Sequence, residues 1–352
     1  MIRSKVLVTG ATGFLGTNIL RALMAREDVE PIAACRDASR LPATFRGEMR
    51  CGDLMDADYC RSLMRDVDVV CHAAAWACLW GHAQLERERF YVPACRLIDA
   101  AIEQGVRRFM LASTVAINEV RNTGAPLDDF SVPAYVDYWP HLNMLIDVDY
   151  YMRARAAPGC QMVVLRLGHF IGRGNRLGLL PALVPRLKTH LVPWLAGGGK
   201  RMPLVADTDL GQAFVLAAVA TGLKDYESFN ICGAEFPPMR DVLKLIAQET
   251  GAPLPHFSVP YPVGYAFGWL MEKLNPVLPG SPFLTRAIVH LSEEWLAPND
   301  YAHARLGYVP RKDWRIAVRE HLADLKAAGY PWPPLAQAVT PKKTHAPTVH
   351  SG

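Results

Sequence analysis

The sequence predicts an α/β protein: a doubly wound parallel sheet with helices on both faces, followed by a smaller C-terminal substrate subdomain. Three observations lead there. Short β-type runs alternate with helical patterns through the first half, a glycine-rich turn joins the first run to the first helix, and after Gly168 the chain becomes irregular, with frequent Pro and Gly and clustered aromatics. In chain order, Val6-Leu7-Val8 reads as a buried strand and Phe14 to Arg26 as an amphipathic helix. Pro31 to Cys35 and Met49 to Cys51 read as strands, with Asp58 to Arg65 a helix after them. Asp68 to Cys71 is a fourth strand, Leu85 to Gln104 a long helix, Arg108 to Ala112 a fifth strand and Met162 to Leu167 a sixth. Strands separated by helices imply βαβ units and a parallel sheet covered on both faces. Beyond Gly168, shorter helices at Met239 to Thr250 and Trp314 to Ala327 belong to the second part. The expected division is a sheet domain over 1–168, completed by parts of 203–234, a substrate subdomain over 169–335, and a disordered tail over 336–352, which has little to bury.

Composition narrows the function classes. The chain has 352 residues, 51% hydrophobic and 20% charged, enough for a substantial core and unlike a disordered chain. Its net charge is +4, half of it in Lys342 and Lys343 of the tail, which is too balanced to argue for nucleic acid. The eight cysteines form no CxxC pair and no Cys/His spacing of a zinc site, so buried reduced thiols and no metal are expected. No run reaches the ~18 apolar residues of a membrane span. Lys5 to Gly10 already reads as folded core, without a preceding signal peptide, and a cytoplasmic location is expected.

The chemistry starts at Thr9-Gly10-Ala11-Thr12-Gly13-Phe14-Leu15-Gly16, placed strand–turn–helix. Gly10 permits the tight turn, Gly13 lets backbone approach a pyrophosphate, and Gly16 lets the helix pack on the sheet, while the helix N-terminus favours phosphate charge. This is the Rossmann-type dinucleotide fingerprint. The end of the second strand then chooses the cofactor. An acid there binds the ribose 2′-hydroxyl of NAD, and an arginine pairs with the 2′-phosphate of NADP. Arg36 stands at that position, which favours NADP, and Asp37 one residue later keeps NAD open.

Gly10 to Gly16, Gly52-Asp53-Leu54, His72-Ala73-Ala74-Ala75 and Leu111-Ala112-Ser113-Thr114 together resemble the extended short-chain dehydrogenase/reductase superfamily, which includes the NAD-dependent epimerase/dehydratases. Leu165 to Gly172 is similar to that family's segment beside the nicotinamide. Pro203 to Leu210 is similar to its VHVDDLA segment. Leu306-Gly307-Tyr308-Val309-Pro310 resembles the ending of its 3-beta-hydroxysteroid dehydrogenase and dihydroflavonol reductase branch. The resemblance covers roughly residues 4 to 327. It implies that Asp53 and Leu54 lie beside the adenine and that Ala73, Ala74 and Ala75 flank the dinucleotide. It also implies a dimer through the helices beginning near Leu85 and His141, with which apolar Met144-Leu145-Ile146 is compatible.

The resemblance breaks at the catalytic residues. The family works with a Ser/Thr, a Tyr, and a Lys four residues after the Tyr that lowers the phenol pKa. Thr114 matches the first. The segment expected to read Pro-Tyr-x-x-Ser-Lys instead reads Pro140-His141-Leu142-Asn143-Met144-Leu145, and no lysine occurs between Lys5 and Lys188, so no shift of register restores the pair. The candidates that remain are Thr114 to hold the substrate oxygen and His141 or Tyr138 to handle the proton. A helix-start surface residue is the alternative for His141. The aromatics between Pro253 and Phe283, with Trp76 and Trp80 on the loop the family turns toward substrate, point to an apolar small molecule, steroid-, isoprenoid- or acyl-like. Val263 to Leu270 presents an apolar helical face suited at most to peripheral membrane contact. The leading expectation is an NAD(P)-dependent oxidoreductase acting on a carbonyl or secondary alcohol. Its rivals are an NADP(H)-binding sensor or assembly protein and a nucleotide-sugar epimerase or dehydratase.

Overall fold

The computed structural model describes residues 3–120, 123–275, 277 and 281–329. The expected tail over 336–352 lies outside these residues. The strands are β1 (Ser4–Thr9), β2 (Val29–Cys35), β3 (Glu48–Cys51), β4 (Val69–His72), β5 (Arg108–Thr114), β6 (Gln161–Leu167), β7 (His169–Ile171), β8 (Trp194–Leu195), β9 (Leu204–Ala206), β10 (Tyr226–Ile231) and β11 (Ser258–Val259). Seven of them form one sheet in the order β10-β6-β5-β4-β1-β2-β3. Every pair in it is parallel, with Val6 opposite Pro31 on one side and Val69 on the other. Successive side chains of a strand point to opposite faces, and here both faces are covered. Val6 and Val8 enter the core under α1 (Phe14–Met24), while Leu7 enters the core on the opposite face. β6 divides likewise: Val163 and Leu165 go to the first core, Met162 and Val164 to the second.

The second face is closed by α2 (Ala57–Leu63), α3 (Ala83–Glu86), α4 (Val92–Glu103) and α5 (Pro140–Arg155). The single helix expected over Leu85 to Gln104 is interrupted. A wide π turn over Arg87–Tyr91 separates α3 from α4. Pro93 supplies the reason, since it lacks an N–H for the preceding turn and its ring crowds the carbonyl four residues back. Asp149 anchors α5 to the sheet. Its carboxylate accepts from Tyr226 Oη at 2.5 Å and Arg153 Nε at 3.2 Å, and it lies 3.5 Å from the fully buried Arg166 of β6. Leu145 and Ile146 are buried in this core and are not available to a partner chain.

The remaining helices are α6 (Leu179–Leu187), α7 (Asp207–Val219), α8 (Met239–Thr250), α9 (Tyr261–Leu274), α10 (Arg286–Leu291), α11 (Asp300–Leu306) and α12 (Trp314–Ala327). α7 packs beside α1 on the first face, whereas α6, α8 and α12 build a separate small core with Ile171, Leu204 and Ala206 of the β7–β9 pair. Within α9 only Gly264 and Gly268 are buried, and Val263, Phe267, Trp269 and Leu270 are exposed. All eight cysteines are free, and among the described residues no helix is long and apolar enough to cross a membrane.

Arg108 explains how α7 ends. Its fully buried guanidinium donates to the carbonyls of Ala218 at 3.0 Å and Ala220 at 2.9 Å, and to that of Ala217, which are the groups a helix C-terminus leaves unpaired. Burial pushes its pKa down to about 10. Replacing it by Met would strand those carbonyls, so Arg108→Met should lower stability by about 2–4 kcal/mol in urea unfolding.

Candidate functional site

The chain reverses its winding between β1 and β4, and in such sheets the crevice at the strand C-termini receives the ligand. The crevice edge is drawn tight. Thr9 Oγ1 accepts the Ala74 N–H at 3.3 Å and pairs with His72 Nδ1 at 2.7 Å. Gly10 has φ +65°, and a Cβ there would sit 2.7 Å from the Ala74 backbone. No other residue fits this close approach. A Cβ on Gly16 would collide with the Gly10 carbonyl oxygen, so Gly16 lets the helix pack on the turn rather than on the sheet.

From this edge a cavity of about 1230 Å³ runs into the second part of the molecule. Thr12, Gly13, Phe14, Leu15, Ala73, Ala75, Thr114 and His141 all line it, so the sequence-expected residues of strand, turn and helix converge on one space. The N-terminus of α1 opens there with Gly13 as its cap residue, no side chain bonded across it and no acidic residue in its first turn. Those free N–H groups and the open face of Gly13 fit the pyrophosphate of a nicotinamide dinucleotide.

Other expected residues sit elsewhere. Gly10, Gly16 and Ala74 shape the turn from behind. Asp53 is exposed and its carboxylate accepts the Met55 N–H at 3.0 Å, while Leu54 leans into the core. Arg36 is exposed at the end of β2 without a hydrogen-bond partner among the described residues, and Arg40, one short turn on, reaches the cavity lining. Asp37 between them caps that turn through one oxygen: Oδ1 accepts from Ser39 N at 3.0 Å and Ser39 Oγ at 2.6 Å. These bonds hold its pKa below the usual carboxylate range.

The structure separates the two proton-transfer candidates. Tyr138 does not line the cavity. Its hydroxyl pairs with His290 Nδ1 at 3.0 Å and reaches Tyr265 Oη at 3.4 Å, which ties its loop to α9 and α10. His141, in the first turn of α5, lines the cavity and its Nδ1 lies 3.0 Å from Glu86 Oε2. Leu145, where the family's lysine would stand, lines it too. Thr114 Oγ accepts the Ala116 N–H at 3.2 Å, leaving its hydroxyl proton for a ligand oxygen. His169 also lines the cavity. Its Nε2–H donates to the Leu291 carbonyl at 3.0 Å, and burial pushes its pKa down to about 4, so the ring is neutral. Glu86 was not legible in sequence, because Gln84 to Arg89 reads as a solvated helix face.

The far half of the cavity is largely apolar, with Leu183, Trp194, Phe257, Phe267, Met271 and Phe283 in its wall. Trp76 and Trp80 do not line it. Both pack on the His82 ring at 6.0 Å, and Ala77, Cys78 and Leu79 of the same loop face the cavity instead. Three of its cations are engaged: Arg176 with Asp324, Lys200 with Glu294 at 3.7 Å, and Arg186 with the Phe283 carbonyl at 2.9 Å. Among the described residues no cluster of side chains suits a metal ion.

A doubly wound sheet, an open helix N-terminus at its switch point and one long cavity define a dinucleotide-binding protein. Residues 6–232 match the NAD dependent epimerase/dehydratase family, and the chain belongs to it. A 2-alkyl-3-oxoalkanoate reductase of Stenotrophomonas maltophilia (strain K279a) is 26% identical over 92% of this chain and 99% of its own. A 3 beta-hydroxysteroid dehydrogenase/Delta 5-->4-isomerase of Mycobacterium tuberculosis (strain ATCC 25618 / H37Rv) is 26% identical over 90% and 89%. A 4-hydroxy-2-methyl-3-oxo-4-farnesyl-3,4-dihydroquinoline-1-oxide ketoreductase of Stigmatella aurantiaca is 24% identical over 96% and 99%. Among solved structures, gox2253 superposes with a TM-score of 0.74 at 22% identity, covering 93% of this chain and 99% of that one. MoeE5 in complex with UDP-glucuronic acid and NAD does so at 0.71 and 19%, covering 92% and 100%.

His72 carries a consequence for acid stability. It is fully buried, its Nε2 has no partner among the described residues, and burial lowers its pKa from 6.5 to about 4. Between these values the unfolded chain binds the extra proton, so this contribution is complete above about pH 6.5 and declines toward pH 4, by up to about 1.4 kcal/mol per unit. Urea unfolding at pH 7, 5.5 and 4.5 should show that decline, and His72→Gln should flatten it.

Proposed function

We propose that this protein is an NADP-dependent oxidoreductase that interconverts a carbonyl and a secondary alcohol on an apolar small molecule. One observation carries the reading: a single cavity leads from the open N-terminus of α1, past Thr114 and His141, into an apolar wall. Gly13 and the first turn of α1 would hold the pyrophosphate, Ala73 and Ala75 would flank the dinucleotide, and Arg36 with Arg40 would receive a 2′-phosphate. Arg36 and Arg40 favour NADP, while Asp37, bonded to Ser39 through Oδ1, keeps NAD open. When bound, the nicotinamide supplies or takes the hydride. Thr114 donates to the substrate oxygen, His141 handles its proton, and the apolar wall orients the chain and excludes water.

The relatives named for oxoalkanoate, steroid and quinoline-oxide substrates agree with an apolar ligand. A nucleotide sugar would need cations free to clamp a diphosphate beside the apolar wall, and Arg176, Lys200 and Arg186 there are tied to protein groups. A sensor that only binds NADP(H) would have no use for so large an apolar chamber. Peripheral contact with a bilayer through the exposed side of α9, and a cytoplasmic location, belong to the same reading.

Calorimetric titration tests it. NADPH should bind at least tenfold more tightly than NADH, and Arg36→Ala should cost NADPH about tenfold while leaving NADH unchanged. With NADPH and ethyl 3-oxohexanoate, the parent should reduce the ketone and His141→Ala should lose about a hundredfold in kcat. Binding without turnover of any apolar ketone would favour the sensor, and no binding of either dinucleotide would overturn both.

A further inference from the structure

The least expected group in the molecule is the Glu86 carboxylate. It is completely buried, and no lysine or arginine pairs with it among the described residues. A buried carboxylate without a cationic partner is costly. Its two oxygens are nonetheless placed. Oε1 accepts the Cys78 N–H at 2.7 Å, and Oε2 lies 3.0 Å from His141 Nδ1. A carboxylate offers only lone pairs, so the Nδ1 of His141 must carry the hydrogen and donate it. The opposite nitrogen, Nε2, bonds to no protein group among the described residues, and the ring lines the cavity. The π turn that follows Glu86 also brings Phe90 against the imidazole, with centroids 5.2 Å apart. One distorted stretch of helix therefore supplies both the carboxylate and an apolar backing for a ring carried by α5. π turns of this kind recur at functional sites.

We propose that Glu86 and His141 form a proton-transfer dyad that stands in for the missing Tyr/Lys pair. It rests on the oxidoreductase reading above. Glu86 is a positioning residue: it holds His141 in the Nδ1–H form and stabilises the ring when it is doubly protonated. His141 Nε2 is the catalytic acid or base. In ketone reduction the substrate carbon gains a C–H bond by taking hydride from a reduced nicotinamide dinucleotide, and the carbonyl π bond breaks. The oxygen takes the proton from Nε2, leaving an alcohol, the oxidised dinucleotide and a neutral imidazole that keeps its Nδ1–H. Solvent restores the Nε2 proton. Alcohol oxidation runs the same transfers backward.

The test reads the ring before it reads the reaction. In nitrogen-15 histidine spectra of the full chain, with the His141 signal assigned by its loss in His141→Gln, the neutral ring should be the Nδ1–H tautomer. In Glu86→Leu it should revert to the Nε2–H form that free imidazole prefers. With NADPH and ethyl 3-oxohexanoate, Glu86→Leu should lower kcat about a hundredfold with less than a threefold change in KM, and Glu86→Asp should restore part of the loss. An Nε2–H tautomer in the parent, or an unchanged kcat in a folded Glu86→Leu protein, would overturn the dyad even if the ketone is reduced. The parent spectrum decides the matter should Glu86→Leu fail to fold. A parent with the Nδ1–H tautomer that binds NADPH yet reduces no ketone would instead count against the oxidoreductase reading alone.

Discussion

Everything in this molecule depends on covering both faces of a parallel sheet. Parallel strands need crossover connections, the crossovers are helices, and helices on both faces force the winding to reverse somewhere. Here it reverses between β1 and β4. At that point two crossovers diverge and leave a crevice at the strand ends, into which the N-terminus of α1 opens. The binding site is thus a by-product of how the sheet is buried, and the glycines at positions 10 and 16 are what allow the crevice wall to close.

Buried polar groups then decide the geometry of the site. Asp149 and Arg166 fix α5 against β6 and β10 and so fix where His141 stands. Thr9 and His72 clamp β1 to β4 and hold the Ala73–Ala75 backbone at the crevice lip. Each group sits where water is excluded, so each has to find its partner within the protein. The other side of the site is built from helices of the second part, whose apolar residues face the cavity.

In the proposed reading Thr114 at the sheet end would donate its hydroxyl, and His141 stands on α5 where the family's usual pattern would place a tyrosine. A tyrosine needs a neighbouring cation to act near neutral pH, and a histidine needs instead an acceptor for its other nitrogen. On the proposed dyad, Leu145 stands in the cavity wall where the family pattern would place a cation, and Glu86 from a different helix would supply the acceptor.

The strands, the glycine turn and the large helices were legible in sequence because they depend on local periodicity and on turn chemistry that only glycine satisfies. The strand bounds moved by only one or two residues, and Met239–Thr250 and Trp314–Ala327 kept theirs. Thr114 and His141 were legible as candidates because their places are set by order along the chain. Tertiary structure alone decided which candidates meet. Tyr138 turned to His290, Trp76 and Trp80 turned to His82, and Asp37 closed on Ser39, all through side-chain choices that no pattern of hydrophobicity records. Glu86 was hidden most completely. It lies in a charged run that reads as solvated surface, and only the packing of α3 and the π turn that follows it against α5 brings it to His141.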